Sequence, residues 1–257
     1  MRPHLSRITI THVTVLVVGG SGYVAGLIVP GLAQRHPVRV FDPRPPRTPV
    51  GSAVEHVPGD ATDFAALRDA MDGIEIVVHA AMGSHDEAPR DGFASLYDVN
   101  VKSVHLTLRA AFRAGIGHAV YISSMSVFRD LNGRRLDESV PPDATDPYGL
   151  TKRLGEQVCQ AVAAEWGRSV NVLRLAYPTP DEVWPAWGYR LPPVVQNAAD
   201  GTPIHATAAS DLARAVLAAI DYRKGFEIFT ISGDDSAGLW STAKARRLLG
   251  WVPTFKA

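Results

Sequence analysis

Tyr148 and Lys152 stand four residues apart in the stretch YGLTK, a spacing that puts a phenol and an ammonium on one face of a helix. Ser124 closes the apolar run HAVYISS (118–124), where a buried strand gives way to a loop. A phenol with its ordinary pKa of about 10 is a poor base at neutral pH. A neighbouring ammonium favours the phenolate, and each unit of lowering corresponds to about 1.4 kcal/mol. Tyr148 could then exchange a proton with a substrate hydroxyl while Ser124 hydrogen-bonds the same oxygen. A Tyr-x-x-x-Lys pair also occurs by chance on protein surfaces, so chemistry is indicated here by the order of the segments that precede it.

The first of these is GGSGYVAG (19–26), which comes after the β-branched run VTVLVV and opens a helical pattern. Gly19, Gly22 and Ala25 give a G-x-x-G-x-x-A spacing. A dinucleotide pyrophosphate needs close approach to the backbone and gains from the free N–H groups of a helix start. Ser21, Tyr23 and Val24 complete that cradle. Asp42 ends the second strand, PVRVFD, 20 residues after Gly22, where a carboxylate accepts both ribose hydroxyls of an adenosine and repels a 2′-phosphate. This favours NAD. Arg44 and Arg47 lie just beyond and leave NADP open, and a solvated turn residue before proline is the plain alternative for Asp42. Asp60 and Ala61 in GDATD are placed to touch an adenine edge, while Asp63 reads as a helix N-cap. His79, Ala80 and Ala81 in HAAMG supply a pocket wall and small residues where the fourth strand passes the cofactor. Lys152 would hold the nicotinamide ribose as well.

Around these residues, apolar strands alternate with helical patterns of ten or more residues, which implies right-handed crossovers and an α/β fold with a doubly wound parallel sheet. Strand ends of such a sheet line a ligand crevice, which explains a strand that stops on hydroxyls. A long helix is expected from about Ala94 to Ala114 and another from about Pro147 to Trp166. Irregular, proline-rich sequence gathers at 178–205. The expected division is a cofactor-binding part at 1–177 and a small substrate-covering region at 178–257, interleaved with the last strands and helices of the same domain.

The 257 residues are 46% apolar, enough for one well-buried core. With 26 basic and 26 acidic residues the net charge is zero, so no global field draws nucleic acid or an anionic membrane. The single cysteine, Cys159, fits a reducing compartment, and neither a secretory leader nor a transmembrane run is evident, so a cytoplasmic protein is expected. Nine histidines are scattered without metal-ligand spacing, and no metal is expected. Ser84 and His85 fall in a polar loop facing the crevice and are candidate substrate contacts. Met125 beside Ser124, and Arg190 in the covering segment, join them, the last as a partner for a sugar carboxylate. Ser123 is placed with the cofactor set. Arg174 lies in a strand pattern and needs a carboxylate partner if buried. Trp184, Trp187 and Tyr189 could stack on a sugar face or seal the core.

The series GGSGYVAG, FDPR, GDATD, VVHAA, DVNVKS, YISSMSVF, YGLTK and LRLAYP resembles the NAD-dependent epimerase/dehydratase family, the extended branch of the short-chain dehydrogenase/reductases. The later stretches ASDLARAVLAAI, FTISGDD and KARRLLGWVP resemble its C-terminal signatures, so the likeness runs from about residue 13 to 252. It implies a Rossmann fold, Ser124, Tyr148 and Lys152 as catalytic, Asn100 as a supporting residue, and Tyr177 and Pro178 beside the nicotinamide. It also implies a homodimer. The usual third glycine is Ala25 here, with Gly26 one place late. VFR (127–129) and LAYPTP replace motifs that contact nucleotide-sugars, and the chain is short where such a nucleotide would be gripped. A small free substrate is therefore expected, as in the compact uronate dehydrogenases of the superfamily, which have a similar length and a similar GWVP ending. The expected activity is NAD(P)-dependent hydride transfer at a secondary alcohol or hemiacetal carbon of a sugar. An epimerase or dehydratase that retains NAD is the alternative, and a non-catalytic NAD(P)-sensing regulator is a third.

Overall fold

The computed structural model describes residues 13–46, 52–83, 92–189, 191–234 and 238–255. The strands in chain order are β1 (Val15–Val18), β2 (Val38–Phe41), β3 (Val54–Val57), β4 (Ile76–His79), β5 (His118–Ser124), β6 (Ser169–Leu175), β7 (Pro178–Thr179), β8 (Gln196–Asn197), β9 (Pro203–Ile204), β10 (Thr207–Ala208) and β11 (Phe226–Ile231). The main sheet runs β11-β6-β5-β4-β1-β2-β3, and every pairing in it is parallel. The doubly wound parallel sheet expected from the sequence is the one that forms. Strand order reverses its direction of growth between β1 and β4, and the carboxyl ends of the strands flanking such a switch frame a crevice.

The helices are α1 (Tyr23–Ala33), α2 (Phe64–Ala70), α3 (Gly92–Tyr97), α4 (Ser103–Arg113), α5 (Pro147–Trp166), α6 (Ala209–Asp221) and α7 (Ala243–Leu249). Strand side chains alternate between two apolar layers because successive residues point to opposite faces. Val15, Val17, Val120 and Ile122 join Ile28 and Leu32 of α1 and Leu212 and Val216 of α6. Leu16, Val18, Tyr121 and Val172 join Leu67 of α2, Leu108 of α4 and Val162 of α5 on the other side. Covered on both faces, such strands read as unbroken apolar runs, each buried Val or Leu contributing roughly 1.5–3 kcal/mol.

Two local features aim the site. Asp146 caps α5, its carboxylate accepting from the Gly149 N–H at 2.9 Å, and Pro147 fills the first helical position. The helix therefore begins beside Tyr148. The long helix expected at 94–114 is instead α3 and α4 joined through a π-helical turn at Asp98–Lys102, which carries Asn100. The extra residue of a π-turn rotates the facing of the helix beyond it, and such turns gather at functional sites. Beyond β6 the chain leaves the main sheet for the short β7·β10 and β8·β9 pairs, then rejoins it through α6 and β11. No helix among the described residues is long and apolar enough to cross a membrane.

Candidate active site

The glycine turn bridges β1 and α1. Gly19 has φ of 77°, and its N–H donates to the Phe41 carbonyl at 2.8 Å. No side chain caps the first turn of α1. Asp42, 5% exposed at the end of β2, bonds across this turn. Its carboxylate accepts from the Ser21 N–H at 3.2 Å and the Arg44 N–H at 3.0 Å, and the Ser21 hydroxyl donates to the Arg44 carbonyl at 2.6 Å. The Arg44 guanidinium stands 3.7 Å from Asp42 and is mostly exposed. Asp42 thus shapes the bend, and each of its oxygens keeps a further lone pair for a ribose hydroxyl. Bare amides at a helix start, a side-chain-free approach and an acidic neighbour fit a dinucleotide. Asp60, at the neighbouring strand end, accepts from the Thr62 N–H and hydroxyl at 2.8 and 2.9 Å, with Ala61 half-buried beside it. Asp63 caps α2 as expected.

His79 ends β4 fully buried, with its Nε2 2.8 Å from the Ser103 hydroxyl. That hydroxyl donates to the Val99 carbonyl at 2.5 Å, so His79 donates to it through Nε2. Burial, aided by the charge on Lys152, pushes its pKa down to about 3. A depressed base contributes stability that is complete above its unfolded value near 6.5 and is lost as the pH falls toward 3. The shift corresponds to several kcal/mol. Acid unfolding followed by circular dichroism is expected to set in within that window. His79→Gln, which keeps a donor for Ser103 and cannot titrate, should move the midpoint to lower pH, and an unmoved midpoint would contradict this account.

Asn100 braces the floor of the crevice. Its Oδ1 accepts from the Gly83 N–H at 3.0 Å, its Nδ2 donates to the Thr151 hydroxyl at 3.0 Å, and that hydroxyl donates to the Tyr148 carbonyl at 2.9 Å. The loop after β4 is thereby tied to the first turn of α5. Ala80 and Ala81 lie in the same bend, where the Ala80 N–H donates to the Val18 carbonyl at 2.8 Å.

Ser124, Tyr148 and Lys152 converge. The Ser124 hydroxyl accepts from the Ser126 N–H at 3.1 Å and hydrogen-bonds the Tyr148 phenol. Lys152, 3% exposed, donates from Nζ to the Ile122 carbonyl at 2.9 Å, and this ammonium lies 6.0 Å from the centre of the Tyr148 ring. The electrostatics run against the expectation of a phenol acidified by its lysine. Burial pushes Tyr148 up to about 12, against the opposing Ser124 hydrogen bond, and burial pushes Lys152 down to about 8, against the opposing carboxylate of Glu156. The ammonium is turned to a backbone carbonyl, so desolvation decides both shifts.

Two of the expected contact residues have side chains engaged in the protein itself. Ser123 points to the α5 side of the sheet, because adjacent strand residues face opposite ways, and its hydroxyl donates to Glu156 Oε1 at 2.7 Å, which leaves its backbone as the part that can face a cofactor. Met125, 2% exposed, packs with Val127, Phe128, Leu136 and Trp240 in a third apolar cluster, so its side chain is committed to packing. Arg174 has its carboxylate partner in Glu156, which the sequence reading did not single out. The signal was available: a strand arginine needing an acid, and an acid four residues after Lys152. Ser84, His85, Arg190 and Arg47 lie outside the described residues.

The rim beyond β6 is aromatic. Tyr177 is held at φ of 43°, a conformation disfavoured for a side chain of its size, and this places Pro178 where its carbonyl accepts from the Tyr23 phenol at 3.1 Å. Tyr189 meets Tyr23 edge-on at 5.1 Å and stacks on Trp187 at 5.6 Å, which in turn meets Tyr177 at 5.3 Å. Val24 is half-buried on α1 beside Tyr23. Among the described residues no group of His, Cys, Asp and Glu side chains is arranged to hold a metal.

Known proteins share this outline. A 3 beta-hydroxysteroid dehydrogenase/Delta 5-->4-isomerase of Mycobacterium tuberculosis is 36% identical over 157 residues, 56% of this chain and 41% of that protein. An L-arabinose 1-dehydrogenase (NAD(P)(+)) of Haloferax volcanii is 29% identical over 183 residues, 66% of this chain and 69% of that one. The first curated relatives are matched over only about two fifths of their own length, 40% and 41%. A variant of uronate dehydrogenase from Agrobacterium tumefaciens, solved in complex with NAD, shares the fold with a TM-score of 0.76 at 21% identity, over 95% of this chain and 85% of that one. The profile of one family spans residues 15–181, taking in the glycine turn, the strand-end serine and the tyrosine–lysine helix in a single stretch. The chain therefore belongs to the NAD dependent epimerase/dehydratase family, enzymes built around that cofactor.

Proposed function

We propose that this enzyme transfers hydride between NAD and a secondary alcohol or hemiacetal carbon of a sugar or sugar-like small molecule. The carrying observation is the hydrogen-bonded Ser124–Tyr148 pair beside buried Lys152, at the same carboxyl edge of the parallel sheet as a glycine turn with uncapped helix amides. Gly19, Ser21, Gly22 and the first turn of α1 would hold the pyrophosphate, Asp42 the adenosine ribose, and Lys152 the second ribose. NAD, when bound, supplies the hydride acceptor. Tyr148 moves the proton: its Oη takes it from, or returns it to, the substrate hydroxyl, and Ser124 hydrogen-bonds that oxygen and orients it. With its pKa near 12 the resting phenol is neutral, ready to donate in the reductive direction. In the oxidative direction Lys152 must carry its charge to stabilise the phenolate. Residues 178–257 are proposed to cover the substrate through the segment between β7 and β10, with Tyr177, Trp187 and Tyr189 offering ring faces to an apolar or sugar surface.

A second reading, an alcohol on a larger apolar ring, is favoured by the 36% identity to a hydroxysteroid dehydrogenase and by the aromatic rim. Reduced nicotinamide formation should be monitored with uronates, aldoses, polyols and 3β-hydroxysteroids, each with NAD and with NADP. Turnover is expected with a free sugar and NAD. Turnover with sterols alone would establish the second reading. NAD that co-purifies, with no net reduction by any alcohol, would overturn both in favour of an epimerase or dehydratase.

A further inference from the structure

We propose that Glu156 and Arg174 are positioning residues, a buried charge pair behind the candidate site that governs whether Lys152 holds its proton. The inference deepens the reading of Tyr148 and Lys152 as the proton-handling pair and rests on it for its functional meaning.

Glu156 lies one helical turn beyond Lys152 on α5, on the same inward face, and is 4% exposed. Its Oε1 accepts from the Ser123 hydroxyl at 2.7 Å and from Arg174 Nε at 2.9 Å, and its Oε2 accepts from Arg174 Nη2 at 2.7 Å. Arg174, 1% exposed on β6, lies 5.0 Å over the Phe128 ring, and its Nη1 has no hydrogen-bond partner among the described residues. A buried bidentate pair by itself is weak evidence for stability, since apolar residues of similar volume serve as well or better. The third charge is what gives this pair a role. Lys152 is equally buried, takes part in no ion pair within 4.0 Å among the described residues, and bonds only a backbone carbonyl through Nζ. One carboxylate is thus counter-ion to two buried cations, and the fork geometry gives Arg174 the larger share.

The other titratable groups facing Lys152 carry no charge near neutral pH. His79 from β4 is neutral because burial lowers it, and Tyr121 from β5, Tyr148 from the start of α5 and Cys159 further along α5 are neutral because burial raises them. Glu156 is the larger of the two groups that oppose the desolvation of Lys152, the buried Cys159 thiol being the smaller. Removing Glu156 takes from Lys152 the carboxylate that holds its proton. Removing Arg174 hands the whole carboxylate to Lys152. The two substitutions therefore push Lys152 in opposite directions, which a purely structural pair would not do.

The test is an NMR titration of the protein labelled at lysine Cε, the Lys152 signal being assigned by its loss in Lys152→Met. Glu156→Gln is expected to lower the Lys152 midpoint by about one pH unit, and Arg174→Met to raise it by about one unit. Arg174→Lys, which keeps the cation, should leave it in place. Shifts of the same sign, or none, in folded variants overturn the proposal. Should either charge-removing variant fail to fold, Ser123→Ala reads the same quantity with both charges kept: freeing Oε1 strengthens the pull of the carboxylate and the midpoint rises, whereas an unmoved midpoint overturns the proposal. The titration needs no substrate, so its outcome is separate from that of the activity screen. Where turnover is found, its alkaline limb is expected to move with the Lys152 midpoint in the same two directions.

Discussion

Tyr148→Phe is expected to lower kcat by about 10³-fold, within the range that a positioned acid or base contributes, while NADH affinity stays nearly unchanged. The asymmetry comes from the single oxygen that the substitution removes. The half-buried ring that packs at the head of α5 remains. Ser124 loses a partner but keeps its bond from the Ser126 N–H, so the end of β5 holds its shape. The brace through Asn100 and Thr151 reaches the Tyr148 carbonyl, not the phenol, and survives intact. Gly19, Ser21 and Asp42 are untouched. Direct titration with NADH and initial-rate kinetics on the same preparation separate the two quantities. Retained turnover would remove Tyr148 from the chemistry, and a parallel loss of NADH binding would make it a structural residue of the cleft.

The sheet was legible because its strands are covered on both faces and therefore read as unbroken apolar runs, and because the glycine turn, Asp42, Ser124 and the Tyr148–Lys152 pair recur in the order that a doubly wound topology demands. Side-chain direction was less so. Ser123 and Ser124 are alike as letters, yet alternation along β5 sends one to a buried carboxylate and the other to the crevice. Met125 goes into packing because the chain turns at once into a short 3₁₀ segment, Met125–Val127. The π-turn that presents Asn100 leaves no mark in DVNVK, whose residue types suit an ordinary helix. Competing electrostatic effects were out of reach as well. Four-residue spacing shows that Lys152 and Tyr148 are neighbours, but whether attraction or desolvation dominates depends on burial, and burial sends the phenol up and the ammonium down.

Gly19→Ala is expected to cost about 3 kcal/mol or more, a fall in Tm of roughly 10 °C, and to abolish tight NADH binding. Two penalties add. At φ of 77° any side chain is strained, and a Cβ there would stand 2.3 Å from Ala81 Cα, a backbone atom that cannot rotate aside. Neither wall can retreat cheaply, since the Gly19 N–H is bonded to the Phe41 carbonyl and the Ala80 N–H to the Val18 carbonyl. Relief would require parting β1 from its neighbours at the turn proposed to receive the pyrophosphate. The other glycines of the turn grade the effect. A Cβ on Gly22 meets only the Gly19 carbonyl oxygen, at 3.3 Å, so Gly22→Ala should be milder in Tm and should show mainly in affinity. Gly26 faces open space inside α1, and Gly26→Ala is expected to stabilise by about 0.5–1 kcal/mol with binding kept. Differential scanning and NADH titration of the three variants test the gradient. Equal effects at all three positions would mean that loss of flexibility, rather than the closeness of β4 to the turn, is what glycine provides here.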